Sequence, residues 1–371
     1  MRVVSTDIGM KFGLEKCVML VMKRGKVTKS DGIKLPDDRV IKSIHAENGY
    51  KYLGILQSNQ VLCNEMKEKV RAEYKRRVKK VLKSKLNGGN MISAINTWAV
   101  PLIRYSGPFL QWRRDEIKEM DRTTRKLMNM YNALHPRDSV ARLYLPRKEG
   151  GRGLMSVKDC VDLAILGLEN YIQKSNERLI TSARRDLEDE ELGTEKEFKA
   201  RRKEDRKSEL EAKALHGQHF RQTKEFSDTE SWRWLREGEL KKETEGLLMA
   251  AQTQSLRTNA VKAKIDKSTS DAMCRVCKQA EETVDHIVSG CSKFAQKEYK
   301  RRHDCVARAL HWDLCRLYDI QTAQKWYEHQ PEGVVEKENV KILWDFNIQT
   351  DNEIQASKKI QAECHSNPRQ E

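Results

Sequence analysis

Cys274, Cys277, His286 and Cys291 follow the spacing C-x2-C-x8-H-x4-C. Three thiolates and one imidazole are a complete donor set for a tetrahedral ion. A CxxC pair chelates from one tight turn, and a later His and Cys close the site. Arg275 and Val276 form that turn, and Glu281 to Asp285 lead into His286, Ile287 and Val288 with the pattern of a short helix that delivers the second pair. The expectation is a structural zinc knuckle, against the bland alternative of four unrelated thiol and imidazole side chains.

Other residues able to do chemistry carry weaker signals. His303 and Cys305 are spare ligands, but they lie beyond an already complete set, so no second metal site is expected. His216 and His219 form an H-x2-H pair without a nearby Cys or third His, and they read as surface residues. Asp37 and Asp38 follow Pro36 and read as a hairpin turn between 32–35 and 39–42, not as paired metal-binding carboxylates. Gly150, Gly151 and Gly153 permit positive φ and close backbone approach, and Arg147 and Arg152 beside them are candidate phosphate contacts. The loop lacks the Lys-Ser/Thr ending of a nucleotide P-loop, which argues against ATP.

Composition constrains the setting of these residues. Lys and Arg number 71 against 55 Asp and Glu, a formal net charge of +16, which points to a polyanionic partner with nucleic acid first among candidates. Of the 371 residues only 38% are hydrophobic and 34% are charged, so two or three domains joined by solvated helix or linker are expected. No apolar run approaches the roughly 20 residues of a membrane span, and the N-terminus has no signal-peptide pattern. Of the nine cysteines three belong to the ligand set, and the others are scattered singles instead of a disulfide framework. The expectation is an intracellular protein, nuclear or cytoplasmic, without membrane association.

The elements that must position these residues can be read along the chain. Cys17 to Met22 is a continuous apolar run of buried-strand type, and Tyr50 to Ile55 reads as another strand. From Asn64 to Leu86 the period becomes helical. Met66, Val70, Tyr74, Val78, Val81, Leu82 and Leu86 share one face, while ten Lys and Arg against three Glu occupy the others. Lys75, Arg76, Arg77, Lys79, Lys80 and Lys83 crowd this helix, and phosphate contact is preferred over an ordinary solvated face. Asn87 to Asn90 breaks it. A second apolar segment runs from Met91 to Pro101, and a third helix covers Asp115 to Leu134. Ser156 reads as the N-cap of a helix that places Cys160 in the core. Residues 184–215 mix both charge signs with few apolar residues and read as a solvated tether at a domain boundary. Trp232 and Trp234 read as packing anchors, His311 to Cys315 as part of a short helix, and Val340 to Ile348 as a strand.

In this order the features resemble the C-terminal half of reverse transcriptases of non-LTR retrotransposons, in the lineage that carries a restriction-like endonuclease. Gly9 to Cys17, with Phe12-Gly13-Leu14-Glu15-Lys16-Cys17, is similar to the palm segment after the catalytic aspartates, and Tyr52-Leu53-Gly54 to the primer grip. The helices from Asn64 to Leu134 resemble the thumb, and Leu145-Pro146-Arg147 with Gly150 to Leu154 the signature that follows it. The knuckle is similar to the family's CCHC element. Trp344-Asp345 and Ile348 to Asn352 resemble the entrance to the endonuclease.

The resemblance implies a mainly α fold: a small β-rich palm remnant over 1–60, a thumb-like helical bundle over 61–183, and a charged linker over 184–230. A helix with the zinc knuckle over 231–320 and an endonuclease-like start over 321–371 follow. It also implies RNA and DNA as partners, as template-primer and element RNA. Lys16 matches a polymerase proton donor, and an intact polymerase would need Mg. The family's aromatic-x-Asp-Asp turn does not precede Gly9 and the family's nuclease pattern is lost after Ala356, so a catalytically incomplete nucleic-acid-binding fragment is expected. The alternatives are part of a full polymerase/endonuclease whose N-terminal half is missing, and a domesticated zinc-dependent binding protein.

Overall fold

The computed structural model describes residues 9, 13, 17–24, 26–28, 30–35, 38–43, 50–58, 60–183, 193–337 and 340–346. The fold is mainly helical with small two-stranded antiparallel sheets. It divides into two compact units, Met1–Leu256 and Arg257–Glu371. Among the described residues no helix is long and apolar enough to cross a membrane.

The first unit opens with three hairpins. β1 (Met22–Lys23) pairs with β2 (Lys26–Val27), β3 (Ile33–Lys34) with β4 (Val40–Ile41), and β5 (Tyr50–Tyr52) with β6 (Ile55–Gln57). The hairpin expected around Asp38 is present, with Ile33 opposite Ile41 and Lys34 paired to Asp38 at 2.7 Å. Two strand expectations need correction. Cys17 to Met22 is not a buried strand: it reaches sheet pairing only at Met22, which is exposed, and through a bridge from Met19 to Ser43. Tyr50 to Ile55 is not one strand, because Leu53 and Gly54 both take left-handed φ, 46° and 87°, and turn the chain so that Tyr52 faces Ile55.

The helical core follows the apolar periodicity. Helix α1 (Cys63–Lys83) buries Met66, Val70, Tyr74, Val78, Val81 and Leu82, while Leu86 lies beyond its end and is exposed. Asn87 then caps α2 (Gly88–Ala94) by accepting from the N–H of Asn90. A wide π-turn, Ile95–Ala99, joins α2 to α3 (Val100–Ser106), and Pro101, which has no N–H to give, follows it. Helix α4 (Arg114–Met130) buries Ile117, Met120, Leu127 and Met128 against α1, and the hydroxyls of Tyr74 and Thr124 meet at 3.0 Å inside this contact. After α5 (Val140–Tyr144), Ser156 caps α6 (Val157–Lys174) as expected, with Cys160 in the core between α3 and α4.

Two boundaries differ from those expected. Helix α7 (Glu195–Glu211) is no solvated tether: Arg202 and Arg206 both pair with Asp159 of α6, Lys203 reaches Glu149 at 3.3 Å, and Leu210 is fully buried. Its inward contacts are mostly ion pairs, so it lacks the apolar stripe that would signal packing. Residues 231–256 belong to the first unit, because α8 (Lys242–Gln252) packs on α2. Lys242 caps the end of α1 by donating to Leu82 O at 2.5 Å.

In the second unit, α9 (Asn259–Lys264) precedes the CxxC turn, and α10 (Lys300–Leu317) follows the last cysteine. A hairpin of β7 (Val334–Lys337) and β8 (Val340–Leu343) packs on α10. His311 and Cys315 therefore sit on a long helix, not a short one.

Candidate metal centre and basic helix face

The ligand atoms of Cys274, Cys277, His286 and Cys291 all lie within 4.8 Å of one another. A tetrahedral ion with Zn–S near 2.3 Å sets ligand atoms about 3.8 Å apart, so small adjustments seat it. The local chain explains the convergence. Cys274 N–H donates to Ala280 O at 2.8 Å, and Lys278, in left-handed φ, closes the turn by donating to Cys274 O at 3.0 Å. The chain is helical through Val284 and Asp285 and widens into a π-turn over His286–Gly290, which brings His286 Nε2 to 3.3 Å from Cys277 Sγ. The three cysteines are buried. The group could hold a metal ion, and its donors suit zinc.

The electrostatics favour thiolate at two of the three cysteines, Cys274 and Cys277. Burial raises the proton affinity of Cys274, but the backbone N–H groups of Cys277 and Val276 and the His286 ring outweigh it, so this thiol sits below its ordinary value. Cys277 is likewise lowered, first by the N–H of Gln279. Cys291 is pushed up by burial.

Two positioning residues carry no sequence signal beyond proximity to the knuckle. Glu282, fully buried, accepts from Arg275 N at 2.9 Å, from the Arg275 guanidinium, and from Asn259 N at 3.0 Å, which ties the CxxC turn to the start of α9. The Arg275 guanidinium holds its carboxyl down to about 2. Tyr299 accepts from Cys291 N at 3.0 Å, and its hydroxyl faces the carbonyls of Ile287 at 2.8 Å and His286 at 3.1 Å, so one hydroxyl touches the backbone of both later ligands. Tyr299→Phe removes that hydroxyl and is expected to weaken metal affinity about 10-fold to 100-fold, read by competition with a chromophoric chelator.

No family model and no curated protein matches this chain. The remaining candidates therefore rest on their placement.

Along α1, Lys75, Lys79 and Lys83 repeat every fourth residue and are exposed, as are Arg76 and Lys80. From Tyr74 to Leu86 there is no acid. Arg76 pairs with Glu73 at 2.6 Å, and Arg77 is held by Glu73 at 2.8 Å and by Trp98 O at 2.7 Å. The Trp98 ring lies under Arg77 and Lys80, with cation-to-centroid distances of 5.2 and 5.9 Å. Upstream, Lys67 and Arg71 turn inward to Glu116, at 2.9 and 2.6 Å. The basic surface is thus the C-terminal half of α1.

Arg147 and Arg152 are not placed as phosphate contacts. Arg152 is fully buried and pairs with Glu245 at 3.0 Å, and Arg147 pairs with the same carboxylate at 2.6 Å and donates to Leu235 O. The loop glycines serve this packing: a Cβ on Gly150 would strike the Trp232 ring, and one on Gly151 would strike Leu145 O. Trp232 is the anchor expected of it, 4.8 Å from Phe220, while His219 is half-buried edge-on to it and no surface residue. Tyr52, Leu53 and Gly54 form the β5–β6 turn, where Leu53 O accepts from the Tyr105 hydroxyl. Lys16, Pro36, Asp37 and the segment Ile348 to Asn352 lie outside the described residues.

Proposed function

We propose that the chain binds nucleic acid as part of a reverse transcriptase of the non-LTR retrotransposon kind, with the C-terminal half of α1 along a phosphate backbone. The observation that carries this reading is the row Lys75, Lys79 and Lys83. All three ammonium groups are exposed, and none is in an ion pair among the described residues, while the opposite face of the helix is core. An ordinary solvated helix interleaves acids with its lysines; this half has none. The excess of Lys and Arg over the whole chain supports the same partner.

The CCHC group holds zinc in a structural role, and Val276, exposed on the CxxC turn, offers an apolar contact to an unpaired base. The two modules differ in chemistry: the helix face reads phosphate, and the knuckle tip meets bases.

Affinity of the 371-residue chain for duplex or RNA–DNA hybrid is expected to fall linearly in log–log form with salt. Replacing Lys75, Lys79 and Lys83 by Gln should reduce that slope by about 0.9 for each phosphate that is no longer neutralised. It should weaken all sequences alike. Fluorescence anisotropy across a salt series checks this, and an unchanged affinity and slope would show a merely solvated face.

A further inference from the structure

Beyond the knuckle, a second group of ligands converges in the same unit. His303 and Cys305 do not form it: His303 contacts its neighbour Asp304 at 3.2 Å, and Cys305 is exposed. Further along α10, His311 and Cys315 stand four residues apart and hence on one helical face. His329 arrives from the segment after the helix. His311 Nδ1 lies 2.8 Å from His329 Nε2 and 3.4 Å from Cys315 Sγ, and the three ligand atoms are all within 4.8 Å of one another. All three residues are buried, at 3%, 1% and 7% relative exposure for His311, Cys315 and His329.

A hydrogen bond between two imidazoles accounts for one of these approaches. It does not account for a thiol aimed at the same ring nitrogen. Around a tetrahedral ion with bonds of about 2.0–2.3 Å, nitrogens sit about 3.3 Å apart and nitrogen and sulfur about 3.6 Å. The observed separations need only a slight opening. We infer that His311, Cys315 and His329 bind a second divalent transition-metal ion, of the class that takes imidazole and thiolate donors. Such donors favour zinc over magnesium or calcium. The carboxylate of Glu332 acts electrostatically on all three groups and adds negative charge where a cation would bind.

The surroundings give the ion a structural part. Ile320 N donates to Cys315 O at 2.8 Å, and Trp312 Nε1 donates to Ala323 O at 2.8 Å, so the segment after α10 folds back on the helix. Trp344, just past β8, stands edge-on to His311 at 5.9 Å. The ion would staple α10 to this segment and to the hairpin beside it. Few large apolar side chains are buried there: Ile342 is one, whereas Val334, Leu343, Trp326 and Tyr327 are exposed. A small core of this kind needs a cross-link.

The test loads the full chain with cobalt(II), whose thiolate-to-metal absorption in the near-ultraviolet counts bound sulfurs. The parent is expected to bind two cobalt ions with the absorption of four thiolates. Cys315→Ser with His329→Ala should bind one, with three thiolates. Cys274→Ser with Cys277→Ser should keep one ion with a single thiolate, which separates this site from the knuckle. A parent that binds one ion with a three-thiolate spectrum, unchanged in Cys315→Ser with His329→Ala, would overturn the inference. The parent stoichiometry decides even if a variant fails to fold.

Discussion

Cys274→Ser combined with Cys277→Ser is expected to strip the amides of residues 272–292 of their protection from hydrogen exchange, while the helical core of the first unit keeps its own. Around the knuckle the buried cluster is the three cysteines and Tyr299, with Phe294 against it. So little apolar surface cannot offset the conformational entropy of the loop. Structural zinc contributes about 10–16 kcal/mol in small metal-held folds, comparable with or larger than the whole stability of a typical domain. Chelation of the parent should expose the same amides and, because it empties the His311, Cys315 and His329 group as well, those of the segment folded against α10; added zinc should reverse both losses. Acid acts in the same direction, since the ligands must shed protons to bind. Glu282, whose carboxyl is held at about 2, stabilises the fold above the ordinary carboxylate range, and this contribution is lost as pH falls through its lowered value. Retained protection in the double variant would mean that the loop is held without metal.

Glu245→Ala is expected to destabilise the first unit by about 3–5 kcal/mol, because it leaves the fully buried guanidinium of Arg152 without its counter-charge. Arg152 keeps a hydrogen bond to Ala133 O, but a carbonyl does not neutralise a cation. Arg147→Gln should cost clearly less, since its side chain is 23% exposed and water can compensate. Urea denaturation followed by circular dichroism measures both. Equal small effects would show that Glu245 contributes little to the stability of the fold.

The parts of the fold that can be read from sequence share one cause. Where burial is apolar, it writes a period: Met66 to Leu82 marks the buried face of α1, and Ile117 to Met128 that of α4. The knuckle is legible because chelation by adjacent turns confines its ligands to short spacings. Where burial is polar, no period is written. Arg152 has the same letter whether it meets a phosphate in water or Glu245 inside the protein, and its partner lies 93 residues along the chain. Helix α7 resembles a tether for the same reason, since Arg202 and Arg206 face inward to Asp159. His311 and Cys315 have the four-residue spacing of a shared helical face, but His329 joins them only through the fold.

Trp98 adds an optical property to this arrangement. Its indole lies beneath two cations that differ in freedom: Arg77 is pinned by Glu73 and by Trp98 O, whereas Lys80, among the described residues, is held over the ring alone, by about 0.5–1 kcal/mol. An anion that draws Lys80 away changes the electric field across the indole while Arg77 stays in place. Emission from Trp98, isolated by subtracting the spectrum of Trp98→Phe, thus registers the occupancy of Lys80 without any attached dye.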